Sequence, residues 1–195
     1  MFHLLLATHN AHKTCEFAQI LGPDFEVSDL SRRPEVPKVE ETGHTFEENA
    51  IAKAVVVSQV LDGLVVADDS GLEVASLGGA PGVYSARYAG DVATDEENVN
   101  KLLADLVGKT RDRTARFRCA LALARQGQLL AVFQGEVPGF ITDRPRGTKG
   151  FGYDPVFIPQ GYERTFAELG DELKNQISHR ALAIKKLREE LPGLG

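Results

Sequence analysis

Thr8, Asn10 and Lys13 stand where a short apolar run gives way to helical spacing, and residues of these types at such a turn can hold an anion. Backbone N–H groups at a helix start lack partners, the positive end of the helix dipole lies there, and a lysine adds a full charge, so a phosphate fits. The glycine spacing of a P-loop is absent, and an Asn that merely caps the helix beside a solvated lysine would leave the same residues. Glu40, Glu41, Asp68 and Asp69 offer hard oxygen ligands of the kind Mg2+ takes, one or two carboxylates completed by water and phosphate oxygens. Taken singly, the aspartates are as well explained as turn formers and the glutamates as solvated charges. Lys53, Lys149, Lys174, Arg87, Arg146 and Arg180 are available to neutralise a polyphosphate, although a helical lysine is most often simply solvated. Phe151-Gly152-Tyr153-Asp154 joins flat aromatic faces to a hydrogen-bonding acid in a glycine-rich loop, as a base-stacking pocket requires. His9, His12 and Cys15 recur every third residue, but no second Cys/His pair with zinc spacing accompanies them.

The elements that must position these groups follow from periodicity. Residues 2–8 read as a buried strand and residues 13–21 as a helix with Phe17, Ile20 and Leu21 on one face. A loop over 31–44 carries Glu40 and Glu41, and Thr45 with Glu48 forms a capping-box pattern that starts a helix to about 61. Residues 64–67 read as a second buried strand ending at Asp68-Asp69-Ser70-Gly71, where side chains reach solvent beyond its C-terminal end. The glycine-punctuated stretch 71–90 is irregular, and Thr94 caps an amphipathic helix to about 107. Residues 113–124 alternate and pair across Gln126-Gly127 with 129–137 as a hairpin. A second glycine-rich loop spans 145–159, and a basic amphipathic helix over 172–191 is broken near Ser178.

The chain has 195 residues, enough for one domain with a sizeable core, or two lobes sharing a cleft. Hydrophobic residues at 43% and charged residues at 26% exclude a disordered tail, a fibre or a disulfide scaffold. A net charge of -6 argues against a nucleic-acid or anionic-lipid surface, so an anionic ligand needs a local basic pocket. Two cysteines and an apolar opening interrupted by Thr8, His9 and Asn10 point to a reducing, cytoplasmic setting without signal peptide or membrane span.

Several ordered blocks together resemble one family. They are 7–13 with Glu16, Glu41 to Phe46 with Glu48, Asn49, Ala50, Lys53 and Ala54, 67–72, 77–88, 147–155 and 174–180, nearly the full length. The chain is similar to the inosine triphosphate pyrophosphatases, the Ham1-like group. The resemblance implies a single α/β domain over 1–195: an elongated mixed β-sheet flanked by helices, with two lobes and the active-site cleft between them. It implies a homodimer that hydrolyses ITP, dITP and XTP to monophosphate and pyrophosphate with Mg2+, cleansing the nucleotide pool. By motif, Thr8, His9, Asn10, Ala11, His12 and Lys13 would cradle phosphates, with Lys53 on the same wall. Glu40 and Asp69 would hold Mg2+, Asp69 would also accept the proton, and Ser70 would touch substrate. Phe151, Gly152, Tyr153, Asp154, Lys174, His179 and Arg180 would bind the base and sugar. A Maf-like pyrophosphatase, a non-catalytic nucleotide sensor and a nucleic-acid module are the competing readings. Ser178-His179-Arg180 disfavours the first, retention of both Asp69 and Glu40 the second, and net charge the third.

Overall fold

The computed structural model describes residues 2–37, 39–108 and 112–191. Strand β1 (Phe2–Leu6) buries Leu4, Leu5 and Leu6, and ends two residues before the apolar run suggests, because Thr8 N–H turns back to the Leu6 carbonyl. Helix α1 (Ala11–Leu21) starts two residues earlier than its apolar spacing indicates, since the Asn10 side chain accepts the His12 and Lys13 N–H groups. Strand β2 (Phe25–Asp29), absent from the sequence reading, lies parallel to β1, Phe2 opposite Phe25 and Leu6 opposite Asp29. Thr45 caps α2 (Phe46–Val60) as its spacing predicts.

Strand β3 (Leu64–Val74) departs most from expectation: it continues through Asp68 and Asp69, both buried, instead of stopping before them. Its first residues run parallel to β1, Leu4 opposite Leu64 and Leu6 opposite Val66. Short 3-10 turns at Ala75–Leu77 and Gly82–Arg87 organise the glycine-rich stretch, and a full capping box at Thr94 and Glu97 starts α3 (Asp95–Leu106). Strands β4 (Thr114–Arg125) and β5 (Gln128–Ile141) meet at the two residues Gln126 and Gly127, at φ +53° and +75°, the left-handed pair that a tight hairpin demands. The C-terminal part comprises β6 (Phe157–Pro159), α4 (Phe166–Leu169), α5 (Asp171–Ile177) and α6 (His179–Glu190), the last two separated at extended Ser178. The six strands form one mixed sheet in the order β2-β1-β3-β4-β5-β6, flanked by helices.

The chain divides into two compact units, residues 1–69, 119–135 and 180–195 in the first, 70–118 and 136–179 in the second. In the first, Leu4 and Leu6 of β1, Phe17 and Leu21 of α1, Leu121 and Leu123 of β4, and Ile184 and Leu187 of α6 form the core. In the second, the Phe117 ring lies 4.6 Å edge-on to Phe157, which stacks on Phe166 at 5.5 Å. There β5 and β6 pair antiparallel with Gly139 opposite Pro159. A Cβ on Gly139 would overlap the Ile158 carbonyl oxygen and stand 2.6 Å from Phe157 Cζ. Gly139→Ala is therefore expected to destabilise by ~1–3 kcal/mol through overpacking. A lowered urea midpoint checks this, and an unchanged one would mean that β6 yields freely.

Candidate active site

In the first unit, α1, α2 and β3 bring charged side chains to one place. Lys13 and Glu16 lie three apart on α1, and Asn49 and Lys53 four apart on α2, spacings that put each pair on one helical face. On β3 the Asp68 carboxylate is fully enclosed by donors. Lys13 Nζ donates to its Oδ1 at 2.5 Å, Arg180 Nε and Cys119 Sγ to its Oδ2 at 2.8 and 3.3 Å, and Arg180 Nη2 to Oδ1 at 3.4 Å. Arg180, 2% exposed, spends its remaining fork on Glu16 at 2.5 Å. Burial pushes the Asp68 carboxyl up, but the Arg180 and Lys13 charges outweigh it and hold the group well below the usual carboxylate range. The same burial, with Asp68 beside it, pushes the Cys119 thiol up, so it remains a donor.

Asp69 is held differently. Asn49 Nδ2 donates to its Oδ2 at 3.0 Å, and Lys53 Nζ lies 3.6 Å from its Oδ1. Lys53 also donates to Glu41 Oε1 at 2.7 Å and to the Asp68 carbonyl at 2.8 Å. Burial raises the Asp69 carboxyl above the usual value, and Glu41 adds to it against the pull of Lys53. Glu41 is carried by a loop clamped to α2: Gly43 N–H donates to Asn49 Oδ1 at 2.8 Å and His44 N–H to Glu48 Oε2 at 2.7 Å. A Cβ on Gly43 would stand 2.7 Å from that Asn49 oxygen, so the close approach needs glycine. Glu40 is exposed, and it is its neighbour Glu41 that joins Lys53.

The second unit assembles the aromatic loop. Lys174, buried on α5, donates to Asp154 Oδ2 at 2.5 Å and lies 4.4 Å over the Phe151 ring. Asp154 Oδ2 also accepts the Phe151 N–H at 2.9 Å, and Gly152 N–H is held by Asp95 Oδ2 at 2.7 Å. Tyr153 donates its hydroxyl to the Ser85 carbonyl at 2.8 Å. His179 is buried and stacked on Phe117 at 4.7 Å and 8°.

Among the residues singled out from sequence, Lys13, Lys53 and Asp69 converge in the first unit, and Phe151, Asp154 and Lys174 in the second. Thr8 and Asn10 are fixed to the same turn as Lys13 by the bond from Asn10 N–H to Thr8 Oγ1, while His9, Ala11 and His12 are exposed and Ser70 is half-buried. Arg180 is buried in the first unit, where its fork meets Asp68 and Glu16. Arg146 pairs with Glu168, Arg87 lies 5.2 Å over the Tyr84 ring, and Lys149 is exposed. Sequence reasoning gave no role to Asn49, Cys119, Phe117 or Asp95. An asparagine inside a helix is unfavourable by propensity, which is the local sign for Asn49 beside its place in the block from Glu41 to Ala54.

Among the described residues no group of three or more His, Cys, Asp and Glu is placed to hold a metal. Mg2+ asks for less when phosphate oxygens and water complete its shell. Glu41 Oε1, Asp69 Oδ1 and the Asp68 carbonyl already gather around one ammonium, an all-oxygen set that suits a hard cation.

The chain matches the Ham1 family over residues 4–190. It is 50% identical over 193 residues to a dITP/XTP pyrophosphatase of Bacillus subtilis, covering 98% of each chain. Among solved structures it resembles the Ham1 protein of Staphylococcus aureus, with TM-score 0.87, 44% identity and coverage of 99% of this chain and 100% of that one. It also resembles a HAM1 protein from Coxiella burnetii, with TM-score 0.88, 40% identity and the same coverage.

Proposed function

The chain belongs to the Ham1 family, and we propose that it cleaves non-standard purine nucleoside triphosphates between the α and β phosphates by means of Asp69. The Bacillus subtilis relative at 50% identity is a dITP/XTP pyrophosphatase, and the proposed substrates ITP, dITP and XTP extend from it. The observation that supports the catalytic assignment is Asp69 itself, a carboxylate made more basic by burial, fixed by Asn49 and faced by the Lys53 cation. Asp69 takes a proton from a water whose oxygen bonds to the α-phosphorus, the bridging P–O bond breaks, and its electron pair leaves with pyrophosphate. Lys13 and Lys53, paired with Asp68 and Glu41 respectively, would meet the charge that develops on the leaving group, and the Thr8 to Lys13 turn would take the phosphates.

Glu41 and Asp69 are the residues that would hold Mg2+, Glu41 replacing Glu40 because its carboxylate is the one turned to Lys53. Bound there, the ion supplies charge to the phosphate oxygens and orients the reacting groups. Asp68 is withdrawn from that role, since Lys13, Arg180 and Cys119 occupy its oxygens.

The base and sugar go to Phe151, Gly152, Tyr153, Asp154, Lys174 and His179. A 6-oxo purine presents an acceptor at O6 and a donor at N1, the reverse of adenine, so a pocket with matched partners rejects ATP. Donors near Arg180 or in the loop backbone would carry that discrimination. Guanine shares the edge, and its exclusion rests on the extra 2-amino group.

A base-panel assay that resolves phosphate from pyrophosphate, with and without chelator, tests class, bond and metal together. ITP, dITP and XTP are expected to yield monophosphate plus pyrophosphate far faster than ATP or GTP. Orthophosphate as first product would overturn the reading, and a preference for other nucleotides would favour a Maf-like enzyme. The protein is also proposed to be a homodimer, supported by Tyr84 at 55% exposure in the glycine-rich stretch and Val92 at 96% just after it. A monomeric mass by light scattering at micromolar concentration counts against it. No helix among the described residues is long and apolar enough to cross a membrane, and a cytoplasmic setting accords with the nucleotide substrate.

A further inference from the structure

We propose that Lys53 is a resident counter-ion of the Glu41–Asp69 pair, standing in the divalent cation's place until a nucleotide phosphate draws its ammonium away. The inference rests on the assignment of Glu41 and Asp69 to the metal. Lys53 Nζ reaches three oxygens, Glu41 Oε1 at 2.7 Å, the Asp68 carbonyl at 2.8 Å and Asp69 Oδ1 at 3.6 Å. Two of these oxygens have anchors other than Lys53, and the third rides on a clamped loop. Asn49 holds the other oxygen of Asp69, Gly43 and His44 clamp the loop that carries Glu41, and the Asp68 carbonyl belongs to β3. The lysine is the mobile member, a point charge on a four-carbon stem with rotatable donors.

Glu41 and Asp69 repel each other across a site that little water screens, so some cation must stand between them. In the nucleotide-free protein that cation is Lys53, and it competes with a divalent ion for the same oxygens. An incoming phosphate offers the ammonium another partner and releases the oxygens. Metal and nucleotide thereby favour each other through one exchangeable side chain, and the coupling is reciprocal in binding free energy. The free enzyme is spared from binding divalent ions unproductively, and the charged groups stay compensated in both states.

The test is binding, read by electron paramagnetic resonance of Mn2+ with the whole protein. Mn2+ is titrated alone, then with an α,β-methylene analogue of ITP, corrected for the metal that the analogue holds in solution. Wild type is expected to bind Mn2+ ~10-fold more tightly once the analogue is present. Lys53→Met is expected to bind Mn2+ alone ~10-fold more tightly than wild type and to lose the further gain from the analogue. Lys13→Met removes an equal charge that bonds chiefly to Asp68 Oδ1 at 2.5 Å and reaches the Asp68 carbonyl at 3.4 Å, and is expected to tighten Mn2+ binding less than Lys53→Met. Equal tightening in both lysine variants would reduce the effect to bulk electrostatics and overturn the proposal. Absence of the analogue effect in wild type would overturn it without need of any variant that folds. No Mn2+ binding under any condition would instead remove the metal assignment itself.

Discussion

Asp69→Asn is expected to fold with a melting temperature near that of wild type and to lose ~10²–10⁴ of its turnover, the usual loss when a general base is removed. The amide keeps the shape and can still accept the Asn49 donor, while Lys53 retains Glu41 and the Asp68 carbonyl. Two functions are lost together, proton acceptance and one negative charge toward the metal. Excess Mg2+ should restore only the second, so a kcat titration against Mg2+ should plateau well below wild type. The pH profile separates them further. Burial and Glu41 raise the Asp69 carboxyl above 3.8, so acidification protonates the base earlier than for an ordinary aspartate and kcat falls on the acid side. The asparagine variant should lack that limb. Near-normal turnover would remove Asp69 from the centre of the reaction.

Asp68→Asn is expected to act on stability first. The carboxylate compensates Lys13 and a fully buried guanidinium, and removing one partner of a buried pair costs ~3–5 kcal/mol. An amide offers one acceptor where Arg180, Lys13 and Cys119 converge, and points its own N–H groups at one of them. Because the folded-state carboxyl is depressed, its contribution is fully present above the unfolded value of 3.8 and is lost as pH falls through the lower folded value. Urea unfolding should therefore show a large deficit for the variant at neutral pH that narrows toward strong acid. A variant as stable as wild type would show that Glu16 alone suffices for Arg180.

The contrast between these neighbouring aspartates marks the limit of what sequence discloses. Local signals were legible: Thr45 and Thr94 announce helix starts, Gln126-Gly127 the hairpin, and Ser178 a break between helices. Each depends on side chains within a few residues. Strand β2 leaves a weak pattern because it is five residues at a sheet edge, Phe25, Val27 and Asp29 half-buried and Glu26 and Ser28 exposed. Asp68 and Asp69 look like a strand stop because unpaired acids do not enter strands. They enter this one because Arg180, 112 residues onward, and Lys13, 55 residues before, neutralise Asp68. Partners so distant leave no local trace. The same holds for Arg180, whose place beside His179 in a motif says nothing of the direction its fork takes. Glu40 and Glu41 differ only in which of two adjacent side chains turns to the lysine.

The way the first unit is gathered from three stretches of chain has a bearing on how the protein comes into being. During synthesis Asp68 leaves the ribosome long before Arg180, so the nascent chain carries a buried-type charge whose partner has yet to be translated. The core has the same gap, because Ile184 and Leu187 of the last helix pack on strands and a helix made at the outset. Long-range closure of this kind is slow relative to local contacts. Nascent chains halted before residue 180 should remain open to protease in their first 69 residues, and resistance should appear in one step once the final helix has emerged.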